Sequence, residues 1–176
     1  MIACKWSGVN PIVNLEVPNV DRKSKKLFCV LGMEDRILEF PVSSATVELA
    51  AQALQTDGCR IVKILSFRVG DDAILICAAG DAKVDNAKYK ARFGVKAKML
   101  SHEEAAERIG HAVGGVCPFA VNAGVQVYLD ESIKRFETVF PAAGSSNSAI
   151  EMTIPEMETY SGYTAWVDVC KAWQNG

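Results

Sequence analysis

The chain has 176 residues, of which 49% are hydrophobic and 23% charged, a composition that predicts one globular domain with a buried core. Its formal net charge of −2 argues against a general nucleic-acid binder, whose phosphate contacts usually make the whole domain basic, but leaves room for a local basic face. The six cysteines form no CxxC pair and show no metal-ligand spacing with histidine, a pattern that indicates reduced thiols rather than a zinc site or a disulfide framework.

The apolar runs of the chain are short. The longest, residues 73–80, has far fewer residues than the roughly 20 that a membrane-spanning helix needs. The first residues also lack the apolar stretch of a signal peptide. We therefore expect a cytoplasmic protein that does not contact a membrane.

Residues 1–32 differ in pattern from the rest. They contain two prolines, three asparagines and a basic cluster, and they show no regular hydrophobic period. Met33 is a candidate second start. We expect residues 1–32 to form an appendage and residues 33–176 to form the functional domain.

The first predicted elements are a strand over 37–40 and a helix within 43–55, for which Ser44 is the candidate N-cap. Residues 60–69 and 73–80 then predict two strands joined by a Gly-Asp-Asp turn. This part of the chain is therefore predicted to be a β-hairpin.

The alternation of elements continues in the second half of the chain. A helix is predicted over 86–93, a strand over 97–100, and a further helix that Ser101 opens through a capping box with Glu104. The last predicted elements are a strand over 125–129, a short helix running into a strand within 132–140, and a strand over 149–154. Because several strands are connected as hairpins, the pattern favours a mixed α/β fold of the α+β class with a single compact domain.

Few residues are suited to conventional catalysis. The chain contains no GxSxG elbow, Walker A loop, HExxH motif, or GxGxxG after a strand. Of the two histidines, His102 is predicted on the solvated first turn of a helix, whereas His111 lies close to Cys117 in sequence. A thiol hydrolase that uses Cys117 and His111 is one hypothesis, and a buried structural cysteine is the other.

The segment GGVCPF, residues 114–119, indicates a role for the main chain. Gly114 and Gly115 permit dihedral angles that other residues avoid, and Pro118 fixes its own φ and restricts the residue before it. A loop of this kind can direct consecutive N–H groups at one point and stabilise an oxyanion. A tight turn between a helix and a strand explains the same residues.

Three motifs occur in order: RIVKILSF, GGVCPF some fifty residues later, and VYLDESIKRFETVFPAAGSSNSAIEM. With these motifs, residues 33–160 resemble the YbaK/EbsC family of aminoacyl-tRNA deacylases, which are related to the editing domain of bacterial prolyl-tRNA synthetases. The resemblance implies a compact domain around a curved mixed sheet or partial barrel. It also implies hydrolysis of the ester bond between a wrong amino acid and tRNA, with water as nucleophile and no metal or organic cofactor.

The resemblance also implies functional residues. Lys63 matches the lysine at the mouth of the family's pocket, and Gly114 and Gly115 match the loop that holds the aminoacyl carbonyl, so we expect these three to be catalytic. A lysine within an apolar strand is also costly unless it is paired or used, although an outward-facing position explains it too. The expected substrate-binding residues are Thr46, Val116, Cys117, Pro118, Ser145, Ser146 and Asn147.

The expected partner is the acceptor end of a mischarged tRNA. The resemblance also implies a second partner, which would be prolyl-tRNA synthetase or another synthetase. Residues 83–98 carry six basic side chains and one acidic side chain, and from them we select Lys83, Lys88 and Arg92 as tRNA contacts. A solvated helix face is the alternative for this segment. A module that binds aminoacyl-tRNA or a synthetase without hydrolysis is the alternative for the whole chain.

Overall fold

The computed structural model describes residues 22–111 and 114–173. Its α-helices are Arg22–Val30 (α1), Val47–Leu54 (α2), Asn86–Phe93 (α3), His102–Ile109 (α4) and Ile154–Ser161 (α5). Its strands are Ile37–Glu39 (β1), Ile61–Val69 (β2), Asp72–Ala79 (β3), Lys83–Val84 (β4), Gln126–Asp130 (β5), Thr138–Pro141 (β6), Ser148–Ile150 (β7), Met152–Thr153 (β8), Ala165–Val167 (β9) and Cys170–Lys171 (β10). None of these helices is long and apolar enough to cross a bilayer.

The main sheet has six strands in the order β8-β6-β2-β3-β5-β9. The hairpin of β2 and β3 is antiparallel, as is the pair β6 and β8, whereas β2 pairs with β6, β3 with β5 and β5 with β9 in parallel. Two smaller sheets join β1 to β7 and β4 to β10. The curled mixed sheet and its helices form a single α+β domain and confirm the predicted fold class.

Strand β3 lies in the middle of the core. Its residues 73–79 are all buried, and the strand is paired on both edges. A strand that is covered on both faces needs apolar side chains at consecutive positions, which explains the uninterrupted sequence AILICAA. The hairpin was predicted from this run, and its turn is the two-residue connection Gly70–Asp71.

The start of α2 differs from the prediction. Thr46, not Ser44, is the N-cap, and its hydroxyl oxygen accepts a hydrogen bond of 3.2 Å from the N–H of Leu49. The N–H of Ser44 donates instead to the carbonyl oxygen of Ser146 at 2.7 Å. This long-range hydrogen bond holds Ser44 outside the helix. It is a tertiary contact, so it could not be predicted from local helix propensity.

Two predicted strands also differ. Residues 97–100 form no strand of the sheet, because only Met99 bridges to Phe67 before Ser101 opens α4 through the predicted capping box. Residues 149–154 divide between β7, β8 and the first residue of α5. The division follows from Thr153, whose side chain caps α5 and ends the extended segment.

Helix α1 lies before the domain boundary that we expected at residue 33. Its Phe28 is fully buried and contacts Phe119 edge to face, with 5.2 Å between ring centroids. Burial of such a ring contributes about 1.5–3 kcal/mol to folding. Residues 1–21 lie outside the described residues, and the assignment of 1–32 as an appendage stays a prediction.

Acid is expected to weaken the contact between Arg36 and Glu156. The guanidinium donates to both carboxylate oxygens of Glu156, at 2.7 and 3.1 Å, and this pairing, with help from Thr153, lowers the pKa of Glu156 to about 2. The folded pKa lies below the unfolded one, so the carboxylate stabilises the fold above about pH 4.5 and loses that contribution as pH falls towards 2. Urea unfolding as a function of pH should therefore show a smaller loss of stability in Glu156→Gln than in the wild type. Equal losses in both proteins would contradict this assignment.

Candidate active site

A cavity of about 450 Å³ lies along the edge of β2 that faces away from β3. Its walls come from the segment before α2, the first turns of α2 and α4, the loop residues Gly114 and Val116, and the connection from β6 to β7. Most of these elements are far apart in sequence. The cavity is therefore a product of the tertiary fold.

The edge of β2 is covered at its two ends and open in the middle. Val62 pairs with Pro141 of β6 at one end, and the N–H of Leu100 donates to the carbonyl oxygen of Ser66 at the other. Residues 63–65 lie between these contacts and line the cavity. The floor of the cavity is thus an open stretch of strand.

Lys63 is a half-buried cation beside this opening. Its ammonium donates hydrogen bonds to the carbonyl oxygens of Gly80, at 3.2 Å, and of Ala82. Burial lowers the pKa of Lys63, and the carboxylates of Asp81 and Glu48 oppose this effect. Because two carbonyls hold the ammonium in place, Lys63 can supply a fixed positive charge to a ligand in the cavity.

Gly80 allows the backbone around Lys63 to pack closely. A Cβ atom on Gly80 would lie 2.0 Å from the carbonyl oxygen of Gly58 and 2.7 Å from a methyl group of Val47. Any larger residue would collide with the backbone of the turn that precedes β2. Glycine at this position therefore lets this turn pack against the segment whose carbonyl oxygens hold Lys63.

The loop predicted to bind the aminoacyl carbonyl reaches the cavity in part. Gly114 and Val116 line the cavity, whereas Gly115 is buried against the loop that precedes β7. A Cβ atom on Gly115 would lie 2.9 Å from the Cα of Ser145. The two loops that the sequence singled out therefore pack backbone to backbone.

Cys117 and Pro118 are both buried and are not part of the cavity wall in the described chain. The Cys117 Sγ lies 3.4 Å from the Ser24 hydroxyl and 3.9 Å from both ring nitrogens of His111. The His111 Nε2 lies 2.9 Å from the carbonyl oxygen of Phe119. Cys117 and His111 are therefore in contact, as the thiol hypothesis requires. Both side chains, however, are buried and do not line the cavity.

The side chains of Ser145 and Asn147 form hydrogen bonds within their own loop and with the residue that follows β1. The Ser145 hydroxyl bonds to Asn147 Oδ1 at 2.9 Å and to the Ser148 hydroxyl at 2.7 Å. Asn147 Nδ2 donates to the carbonyl oxygen of Phe40 at 2.8 Å, and the Phe40 N–H donates back to the Asn147 carbonyl oxygen at 2.8 Å. Ser145, Ser146 and Asn147 shape the turn, and the cavity wall is formed by the residues that follow, Ser148 and Ala149.

Thr46, one of the expected substrate-binding residues, lines the cavity, and so do several residues that the sequence did not single out. His102, which the sequence placed on a solvated surface, is exposed and lines the cavity at the start of α4. Phe140 and Ala149 form the wall on the side of β6 and β7. No local pattern marks these residues, because a wall built from several elements leaves no spacing in the sequence.

The three predicted tRNA contacts have different surroundings. Lys83 is exposed in β4, and its charge contributes to the lowered pKa of Lys63. The Lys88 ammonium is paired with Asp168 at 2.7 Å, and Arg92 lies over the rings of Phe93 and Tyr128. Of the three, Lys83 is therefore the residue whose charge acts on the pKa of Lys63.

The described residues contain no group of three or more His, Cys, Asp or Glu side chains placed to hold a metal ion. Burial raises the pKa of the Cys77 and Cys170 thiols, so these groups are neutral at physiological pH. The polar groups that line the cavity are the Lys63 ammonium, the His102 imidazole, hydroxyl groups and main-chain amides.

Comparison with known proteins gives consistent matches. The family profile described as "Aminoacyl-tRNA editing domain" matches residues 42–160. The uncharacterized protein YwhH of Bacillus subtilis is 55% identical over 84% of this chain and 94% of its own. A proline–tRNA ligase of Bacillus velezensis is 28% identical over 51% of this chain, a segment that is 16% of the ligase. The fold also matches the crystal structure of a proposed trans-editing enzyme for prolyl tRNA synthetase, with a TM-score of 0.75 and 28% sequence identity. The match covers 85% of this chain and 96% of that enzyme's chain.

Proposed function

The chain belongs to the aminoacyl-tRNA editing domain family, and from this premise we propose that it hydrolyses the ester bond of mischarged aminoacyl-tRNA. The observation that carries the proposal is the position of Lys63. A half-buried ammonium group held by two carbonyl oxygens lies at the open edge of β2, in a cavity that Gly114 and Val116 also line. A cation and main-chain groups at one cavity suit a substrate that has an anionic backbone and a reactive carbonyl.

The proposed reaction uses water as the nucleophile. A water molecule attacks the ester carbonyl carbon, and main-chain N–H groups of the loop at Gly114 stabilise the oxyanion that forms. Collapse of this intermediate breaks the bond to the ribose oxygen, which takes up the proton that the water has lost. The products are the free amino acid and tRNA with its terminal hydroxyl restored.

Cys117 has no part in this mechanism. Its sulfur is fully buried and contacts Ser24 and His111 in the core, so a substrate in the cavity does not reach it. A nucleophilic cysteine needs an accessible thiolate. We therefore prefer the water mechanism to the thiol hydrolase.

A separate hydrolase of this kind is needed because of limits on binding selectivity. A synthetase pocket discriminates between amino acids that differ by one methylene group by only about 1–3 kcal/mol. A second site that hydrolyses the wrong product raises the accuracy of translation. We propose tRNA as the partner, a synthetase such as that for proline as a second partner, and the cytoplasm as the location.

The test is deacylation of alanyl-, cysteinyl-, seryl- and threonyl-tRNA by the wild type and by Cys117→Ser. We expect rapid loss of one of the four amino acids by both proteins, because the thiol is not the nucleophile. Loss of activity in a correctly folded Cys117→Ser variant would favour the thiol hydrolase. If all four substrates stay intact but the protein still shifts tRNA in a gel, a binding module replaces the hydrolase.

A further inference from the structure

Ile64 presents its main-chain N–H and C=O groups to the cavity. Both groups of a strand residue point to the same edge, and successive residues point to opposite edges. The N–H of Arg68 donates to Lys98 at 2.9 Å and the carbonyl of Ser66 accepts from Leu100 at 3.1 Å, so the even-numbered residues of β2 face away from β3. Ile64 shares this direction and lines the cavity.

These two main-chain groups have no hydrogen-bond partner within residues 22–111 and 114–173. The nearest paired residues on this edge are Val62 and Ser66. At the usual rise per strand residue, they are about 13 Å apart. Such an interval accommodates one extended residue. A donor and an acceptor that remain unpaired in the wall of a cavity favour a ligand that supplies the complementary pair.

An aminoacyl ester has this complementary pair. Its α-ammonium group is a donor and its carbonyl oxygen is an acceptor, and the two are separated by one Cα atom as in a residue of a strand. Two strand residues that face each other in an antiparallel pair exchange two such hydrogen bonds. The fit requires no particular amino-acid side chain.

We propose that the aminoacyl group of the substrate binds as a single strand residue opposite Ile64. Its α-ammonium donates to the Ile64 carbonyl oxygen, and its ester carbonyl accepts from the Ile64 N–H. This inference rests on the proposed deacylation, for which it makes Ile64 a main-chain substrate contact. The ester carbonyl oxygen has two lone pairs, so it can also accept a hydrogen bond from an N–H group of the loop at Gly114.

The pairing determines where the amino-acid side chain goes. Residues that face each other across two strands place their side chains on the same face. The substrate side chain therefore lies on the face of β2 that carries Ile64 and Ser66, and Lys63 points to the other face. Recognition of the aminoacyl main chain and selection by side-chain size become separate tasks.

Hydrogen exchange of the wild-type protein tests the contact directly. In the free protein, the Ile64 amide should exchange faster than those of Lys63 and Leu65, which pair with β3. The probes are the alanyl, seryl, cysteinyl and threonyl amides of 3′-amino-3′-deoxyadenosine, which cannot be hydrolysed like the ester. Binding of the preferred probe should shift the Ile64 amide resonance and slow its exchange at least tenfold, while Lys63 and Leu65 change less.

A matched pair of variants tests the same contact by affinity. Ile64→Pro and Ile64→Val both alter the side chain, but only the proline variant lacks the N–H. Because that N–H points away from β3, proline removes no hydrogen bond of the sheet. We expect the proline variant to bind the preferred probe about tenfold more weakly than the valine variant, the effect of losing one such hydrogen bond in a cavity.

The outcomes separate this inference from the proposed function. If a probe binds and the tRNA is deacylated, but the Ile64 amide is unaffected and the two variants bind alike, the pairing is wrong and the deacylase remains. If no probe binds at millimolar concentration, the pairing is overturned whatever the deacylation assay shows. The exchange experiment needs no variant, so a folding defect in Ile64→Pro cannot hide the result.

Discussion

Replacement of Lys63 by methionine is expected to lower the rate of deacylation by about 10²-fold or more, the range found when one preorganised electrostatic group is removed from an active site. Methionine retains an unbranched apolar side chain and removes only the ammonium group. In the wild type this group is fixed by the carbonyl oxygens of Gly80 and Ala82 beside the cavity. The measurement is the single-turnover rate with the preferred mischarged tRNA.

The control for this prediction is Lys90→Met, which removes the same charge from an exposed position on α3. We expect Lys90→Met to retain nearly the full rate, because it changes the net charge without touching the cavity. Urea unfolding of both variants separates a loss of catalysis from a loss of stability. A folded Lys63→Met variant with the wild-type rate would remove Lys63 from the mechanism.

Replacement of Gly115 by alanine is expected to lower the rate by about 10²-fold, because a displacement of about 1 Å in a catalytic loop has an effect of this size. The added Cβ would lie 2.9 Å from the Cα and 3.1 Å from the carbonyl carbon of Ser145. Both are backbone atoms, so the conflict is relieved only if one of the two loops moves. In the proposed mechanism, movement of the 114–116 loop would take its N–H groups out of line with the ester carbonyl.

Gly124→Ala is the comparison for this variant. Gly124 has a φ of +87° and no atom within 4 Å of an added Cβ, so alanine there costs about 1–2 kcal/mol of backbone strain without a steric conflict. We expect Gly124→Ala to be less stable than the wild type and to deacylate at nearly the same rate once folded. If Gly115→Ala keeps the wild-type rate, the contact between the two loops does not position the catalytic groups.

Local signals in the sequence predicted several elements well. The helix over 86–93 was predicted with the observed bounds, because Asp85 caps its start and Gly94 ends it in a left-handed conformation. The hairpin of β2 and β3 follows from two apolar strands and a short turn. In both cases the determining contacts are between residues close in sequence, which a pattern can report. Strands β9 and β10 were missed, since each has two or three residues and depends on distant partners.

The candidate site was predicted in part. Lys63 and Gly114 line one cavity, whereas Cys117 and Asn147, which were also expected to contact the substrate, are not among its lining residues in the described part of the chain. A cysteine next to a glycine loop can point to the cavity or to the core, and the sequence is the same in both cases. The hydrogen bonds of Asn147 to Phe40 join residues more than a hundred positions apart.

The sequence by itself determined the family, the α+β class and the presence of a lysine in an apolar strand, because these depend on motifs, periodicity and the cost of burying a charge. Only the tertiary structure decided that β6 and residues 98–100 cover the two ends of β2 and leave Ile64 open between them. Strand order and register arise from contacts across the whole chain. The part of the main chain that a substrate can reach is therefore a property of the folded sheet.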